Sequence, residues 1–264
     1  MARYGMVIDL LKCTGCGACG IGCKTENNTQ DKSDGQTFNW ADYHTFTQGT
    51  FPNVIATTMP VLCNHCMDAP CVEACPVTPK AMFKQDDGIT MHDEERCIGC
   101  RLCQEACPYS AMDVDTENAE YSVISFNDFD KKRYKPYLDE TVLVKDMTTS
   151  GAEIAAKAGA VPPYRTNYRH PHYNEARRDG VVEKCILCDH RIAQGLMPYC
   201  TVVCPSQARI FGDLDDSSSE PAKLLQEFEG RRLKSNQGEF LAKDEKGFEP
   251  NVYYIRTYSK RNNV

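Results

Sequence analysis

Sixteen cysteines carry the chemistry in this 264-residue sequence. They form four groups: Cys13, Cys16, Cys19, Cys23; Cys63, Cys66, Cys71, Cys75; Cys97, Cys100, Cys103, Cys107; and Cys185, Cys188, Cys200, Cys204. Groups one and three read C-x2-C-x2-C-x3-C. Group two widens the middle gap to four residues and group four to eleven, while the last gap stays at three. Pro76, Pro108 and Pro205 follow directly on the fourth cysteine of groups two, three and four.

Thiolates two residues apart can each reach a different iron of one iron–sulfur cube, provided that the residues between them are small. Gly15, Gly17, Ala18, Gly20 and Gly99 meet that need. In two-cluster ferredoxins with this run, the fourth cysteine ligates the neighbouring cluster. Applied here, the rule predicts four [4Fe–4S] clusters. Cluster one takes Cys13, Cys16, Cys19 and Cys204; cluster two takes Cys63, Cys66, Cys71 and Cys107. Cluster three takes Cys97, Cys100, Cys103 and Cys75; cluster four takes Cys185, Cys188, Cys200 and Cys23.

The rivals are weaker. Structural zinc uses four thiolates on one ion, typically from paired C-x-x-C units, without a third close thiol and its proline. Disulfides are a poor default without a secretory signal, and "MARYGMVIDLLKC" lacks the charged start and cleavage site of one. A chain of this length also needs no covalent staples to bury a core.

Positioning elements follow from the same repeat. "DLLKCTGC" (Asp9 to Cys16) matches "DEERCIGC" (Asp93 to Cys100) in its acid, its base and its glycine, and each is preceded by a short apolar strand (6–8 and 89–91). Past the groups, "CPVTPKAMF", "CPYSAM" and "CPSQARIF" predict a turn and a further strand. The predicted unit is strand, cysteine loop, helical turn, proline, strand. A formal charge of −7 gives no reason to expect a nucleic-acid partner, and no apolar run is long enough to span a bilayer.

The sequence resembles the iron–sulfur (beta) subunits of the dimethyl-sulfoxide-reductase family of molybdopterin oxidoreductases. The resemblance rests on the four interleaved groups, "CKTENN", "CNHC" with "APCV" and "CP", "KC" with "CDHR", and "CPSQARIFGDLDD". Within that family "GMVIDL", "GTFP" and "YYIRTY" are most similar to respiratory arsenate reductase beta subunits. Polysulfide, thiosulfate and tetrathionate reductase subunits and a transhydroxylase-type subunit are the alternatives, and a free-standing polyferredoxin is another.

What the resemblance implies is a non-catalytic electron-transfer subunit. It would serve a large molybdenum or tungsten catalytic subunit on the side of clusters one and four, and a membrane quinone-binding or cytochrome subunit on the other. An exported catalytic partner would carry it to the periplasm; a cytoplasmic site is the alternative.

The fold class expected is α+β, with two nested double-cluster ferredoxin-like lobes. Residues 1–62 with 181–215 make one lobe and its connector, and 63–112 make the other. Residues 113–180 are an insertion, with a short helix in "AEIAAKAGA", and 216–264 a C-terminal extension. In the extension Ser219 caps a helix with Pro221 in its first turn, and "VYYIRTY" forms a last strand.

Outside the cysteines, Lys24, Arg101, Lys184 and Arg191 are cations positioned to tune a cluster, and Trp40, Tyr43, His44 and Phe46 are aromatics that cover the lobes or meet a partner. Arg165, Arg169, Arg177 and Arg178 form a basic stretch suited to an acidic surface or to solvent. His65, between two cysteines of a complete quartet, reads as a supporting or packing residue rather than a ligand. "DLDD" lacks the ligand spacing of a calcium loop.

Overall fold

The strand "YGMVID" is apolar at alternate positions on both faces, so it suits the middle of a sheet. In the computed structural model it is β1 (Tyr4–Asp9), the central strand of three, between Arg209–Asp213 and Val252–Ile255. The structure describes residues 2–30, 32–129, 140–142, 144–159 and 178–256. Met6 and Ile8 face the main core, whereas Val7 faces Ile210, Ile255 and the helix Glu220–Glu227. That helix begins as predicted, with the Ser219 hydroxyl accepting from the amide of Ala222.

The other strands are β2 (Ala41–Thr50), β3 (Asn53–Leu62), β4 (Met82–Lys84), β5 (Thr90–His92), β6 (Ile124–Asn127), β7 (Val181–Lys184), β8 (Arg209–Asp213) and β9 (Val252–Ile255). Four antiparallel pairs dominate: β2 with β3, β4 with β5, β6 with β7, and β8 with β1. In each pair, the strand that leaves one cysteine group meets the strand that enters the next, and β8 closes the cycle from group four back to group one. Two-stranded ribbons of this size have little stability of their own. The groups that they carry must therefore contribute to the core.

Two features differ from the sequence expectation. Residues 41–62 form a long hairpin, with its root buried and its tip exposed; Phe51 at the tip is 91% accessible. In the stretch "CPYSAM" the described residues include no strand, and β6 begins only at Ile124. There the backbone groups are taken by side chains instead of a ladder. The Gln104 amide donates to Ala111 O (2.8 Å) and Ile124 O (2.9 Å), and the Ala111 amide donates to the Ser122 hydroxyl (3.1 Å).

The helix expected in the insertion spans Gly151–Ala158, capped by the Ser150 hydroxyl. The final strand lies parallel to β1, with Met6 opposite Val252, so residues near the C-terminus complete the first sheet. Trp40 is buried and its indole N–H donates to Glu183 (3.2 Å). His44 is buried against Tyr121 and pairs with Glu120 at 2.8 Å. Arg165, Arg169 and Arg177 of the basic stretch lie outside the described residues; Arg178 donates to Glu94 O at 3.1 Å. Among the described residues no helix is long and apolar enough to cross a membrane.

Candidate metal centres

All four cysteine loops are built alike. The residue before the second cysteine is left-handed in each: Gly15 (φ 68°), His65 (44°), Gly99 (69°) and Leu187 (54°). The third cysteine is in each case the second residue of a helix: Ala18–Asn27, Pro70–Glu73, Leu102–Ala106 and Tyr199–Val202. The fourth cysteine follows four residues later, inside the helix at Cys23 and at or just past the helix end at Cys75, Cys107 and Cys204.

Entry to the loops explains the repeated acid. The Asp9 carboxylate accepts from the amide of Leu11 (3.1 Å), and the Asp93 carboxylate accepts from the amides of Glu95 (2.9 Å) and Arg96 (3.3 Å). Asp shapes both turns through its own backbone bonds. The reversal then aims loop amides at sulfur. Gly99 N donates to Cys97 Sγ (3.4 Å), Leu187 N to Cys185 Sγ (3.3 Å), and Ala208 N to Cys204 Sγ (3.2 Å).

Gly99 has a second constraint. A Cβ there would lie 2.0 Å from the carbonyl oxygen of Gly180. Leu187 shows that the left-handed turn alone admits a side chain; the facing backbone is what forbids one at Gly99. Gly99→Ala is expected to cost at least the ~1–3 kcal/mol of a strained left-handed residue. It should also deplete iron at the third loop, read as a lower denaturation midpoint together with a lower iron content. Unchanged values of both would sink the argument.

The fold brings the thiols together across the chain. Cys13, Cys16, Cys19 and Cys204 line one cavity, with Gly15, Gly17 and Ala18 as its small-residue wall. Cys97, Cys100, Cys103 and Cys75 line another. Burial pushes the Cys23 thiol well up, and the neighbouring Cys185, Cys188 and Cys200 add to the shift. The Cys66 thiol is raised by burial and then by Cys63, Cys107 and Cys71.

Burial likewise lifts Cys71 to about 11, and Cys107 and Cys188 to about 12, with a neighbouring thiol adding to each. Thiolates crowded in this way need a compensating positive charge. A metal–sulfur centre supplies one, since metal-bound cysteine is deprotonated outright. Yet no three Cys, His, Asp or Glu side chains among the described residues converge closely enough to hold a single metal ion. A ring of thiols around a cavity fits a multi-iron cube better than a tetrahedral ion.

Cations sit among these thiols. Lys184 is fully buried and donates to Cys185 O (2.7 Å) and Thr90 O. Arg101 lines the cavity of Cys97, Cys100 and Cys103 and lies over the Phe126 ring at 4.9 Å. Lys24 and Arg191, also singled out from the sequence, make other contacts: Lys24 donates to Gln30 O (2.6 Å), and Arg191 donates to Met197 O (2.8 Å) and pairs with Glu26.

Three residues have no signal in the cysteine pattern. Lys84 donates to Cys66 O and His65 O, Asn27 donates to Cys23 Sγ (3.5 Å) and Cys188 Sγ (3.7 Å), and Arg209 is buried beside Cys19 and Cys200. His65 accepts from Thr90 N at 3.1 Å, and its burial, with Lys184 and Lys84 nearby, keeps the ring neutral.

The family model described as a 4Fe–4S dicluster domain matches residues 54–127 and 130–214. The chain belongs to that family. It is 40% identical over 257 residues to the arsenate respiratory reductase iron–sulfur subunit of Shewanella sp. (strain ANA-3), covering 97% of each chain. It is 36% identical to a putative dimethyl sulfoxide reductase iron–sulfur subunit of Halobacterium salinarum, covering 97% of this chain and 79% of the relative. It is 29% identical to a tetrathionate reductase subunit of Salmonella typhimurium, covering 96% of this chain and 72% of the relative.

As a member of this dicluster family of reductase iron–sulfur subunits, the chain binds [4Fe–4S] clusters and transfers electrons; it is not a catalytic subunit. The two matched stretches contain groups two to four, and group one precedes them.

Proposed function

We propose that the sixteen cysteines hold four [4Fe–4S] clusters in the cross-ligated sets given above, and that the chain is the electron relay of an arsenate-reductase-like molybdopterin complex. When bound, each cluster supplies a one-electron couple whose potential is set by hydrogen bonds to sulfur, local charge and solvent exposure.

The observation that carries this reading is the order of the sets. Cys19 neighbours Cys200, which links set one to set four. Cys185 neighbours Cys63, which links set four to set two. Cys71 neighbours Cys103, which links set two to set three. The two inner sets are wholly buried, whereas Cys16 and Cys100 are exposed at the two ends. A row of four sets with one accessible thiol at each end suits a wire with two contact points. Leu11 and Ile21 flank the first end and Ile98 and Leu102 the second, all exposed and apolar, as a docking partner would need.

Nested ferredoxin-like lobes, 1–62 with 181–215 around 63–112, describe this arrangement, with 113–180 inserted and 216–264 added. The catalytic molybdenum or tungsten subunit docks at the end bearing Cys16, and a quinone-binding or cytochrome partner at the end bearing Cys100. The complex works in the periplasm, where the catalytic subunit's export would carry this chain.

Anaerobic isolation of the tagged chain from its native cells tests the reading. A large second polypeptide with molybdenum or tungsten, and arsenate reduction by reduced viologen dye, is the expected outcome. Activity on tetrathionate or dimethyl sulfoxide instead would move the substrate, and iron and sulfide on a lone chain would leave a free polyferredoxin. Recovery in the cytoplasmic fraction would overturn the localisation.

A further inference from the structure

Arg209 is the first residue of β8, opposite Ile8 of the central strand, and it is 2% accessible. A buried guanidinium normally has a carboxylate partner, because an unpaired buried charge is strongly unfavourable. Among the described residues no carboxylate lies within ion-pair distance of Arg209. Its hydrogen-bond partners are the carbonyl oxygens of Asp42 (3.5 Å) and Val61 (3.4 Å) and the Met6 sulfur (3.9 Å); Cys19 shares its cavity wall, and Cys200 lies beside it. Among the described residues its Nε has no hydrogen-bond partner. The nearby Tyr254 phenol donates to Pro60 O (2.9 Å) and burial keeps it protonated, so it brings no countercharge.

Cys19 and Cys200 belong to different sets, and they are the neighbours that join sets one and four. Arg209 also lines the cavity around Cys13, Cys16, Cys19 and Cys204. Resting on the cross-ligated reading above, we infer that Arg209 is a shared positioning residue for electron transfer: one buried guanidinium lies beside a ligand of cluster one and a ligand of cluster four, and biases both towards the reduced state.

The chemistry suits arginine. Its planar fork donates along more than one direction at once and stays protonated at any working pH. Each all-cysteine cluster is anionic and gains a further negative charge on reduction. A fixed cation between two of them lowers the cost of reducing either, and screens each reduced cluster from the other. Without that cation, adjacent anions in a dry interior would repel most strongly where an electron must pass. Burial without a carboxylate thus has a reason: the two clusters are the counterion.

The test is a potentiometric titration of the anaerobically purified, iron-loaded full chain, followed by electron paramagnetic resonance. Cys16→Ser and Cys188→Ser assign the signals of clusters one and four. Arg209→Gln is expected to lower both of those potentials, each by at least a tenfold change in the reduced-to-oxidised ratio at fixed potential, which is 59 mV for a one-electron couple. Clusters two and three should keep theirs. Arg209→Lys, which restores the charge, should recover most of the shift.

A shift in only one cluster, equal shifts in all four, or no shift overturns the shared role. If Arg209→Gln loses iron while Arg209→Lys loads fully, the charge is needed even for assembly, in support of the inference; failure of both to load assigns Arg209 to packing and overturns it. Wild-type protein holding fewer than four clusters would instead refute the underlying reading, whatever the variants do.

Discussion

Cys204→Ala abolishes the cluster held by the N-terminal loop and spares the one held by Cys185 and Cys188. That is the expected result of breaking a ligand which is distant in sequence from the loop it serves. Cys204 lines the same cavity as Cys13, Cys16 and Cys19. Burial raises its thiol, but the amides of Ala208, Arg209 and Ser206 and the Ser206 hydroxyl pull it below the ordinary thiol value.

The variant should lose up to about a quarter of the iron of a four-cubane chain, or show a three-iron signal where the fourth iron has lost its ligand. Spectroscopy of the anaerobic variant decides the matter. Loss of the signal assigned to Cys185 and Cys188, with the N-terminal cluster intact, would break the cross-ligation scheme.

Stripping the iron should have the larger consequence: the chain loses its cooperative fold. Cys23, Cys63, Cys66, Cys71, Cys103, Cys107, Cys185 and Cys200 are themselves members of the main core, packed with Met6, Ile8, Leu62 and Tyr254. Emptied, their sites become cavities ringed by thiols in the middle of the core. The strands between them form two-stranded ribbons with little independent stability.

Structural metal sites in small domains contribute on the order of 10 kcal/mol each, counted as folding free energy. A whole domain is stable by only about 5–15 kcal/mol. Losing even one or two sites therefore exceeds what the remaining contacts supply. Chelator-treated, reduced protein should show no cooperative thermal transition and rapid proteolysis. A sharp transition within a few degrees of that of the loaded chain would show that the core stands without iron.

Much of this was legible because cluster ligation is a short-range demand. Three thiols per loop, the small residues between them, and the Asp9 and Asp93 turns all lie within a few residues of one another, where spacing speaks directly. The strands entering groups one and three were equally clear, since their apolar runs are bounded by those turns. The hairpin 41–62 was not, because its aromatics suit covering residues equally well while its threonine-rich alternation is exposed on both faces towards the tip. "CPYSAM" misled for another reason: its apolar residues are buried, but the Gln104 and Ser122 side chains satisfy its backbone in place of a neighbouring strand.

By itself the sequence determined the number of thiol groups, the spacing within each, and the kind of centre they suit, because those depend on residues close along the chain. Only the tertiary structure decided which cysteines meet across the chain, the exposure of Cys16 and Cys100 against the burial of Cys23, Cys63 and Cys185, and the burial of Arg209 beside Cys19 and Cys200. Each of these depends on segments far apart in the chain meeting in one core. A charge such as Arg209 acquires its meaning from what surrounds it, and no local pattern records that.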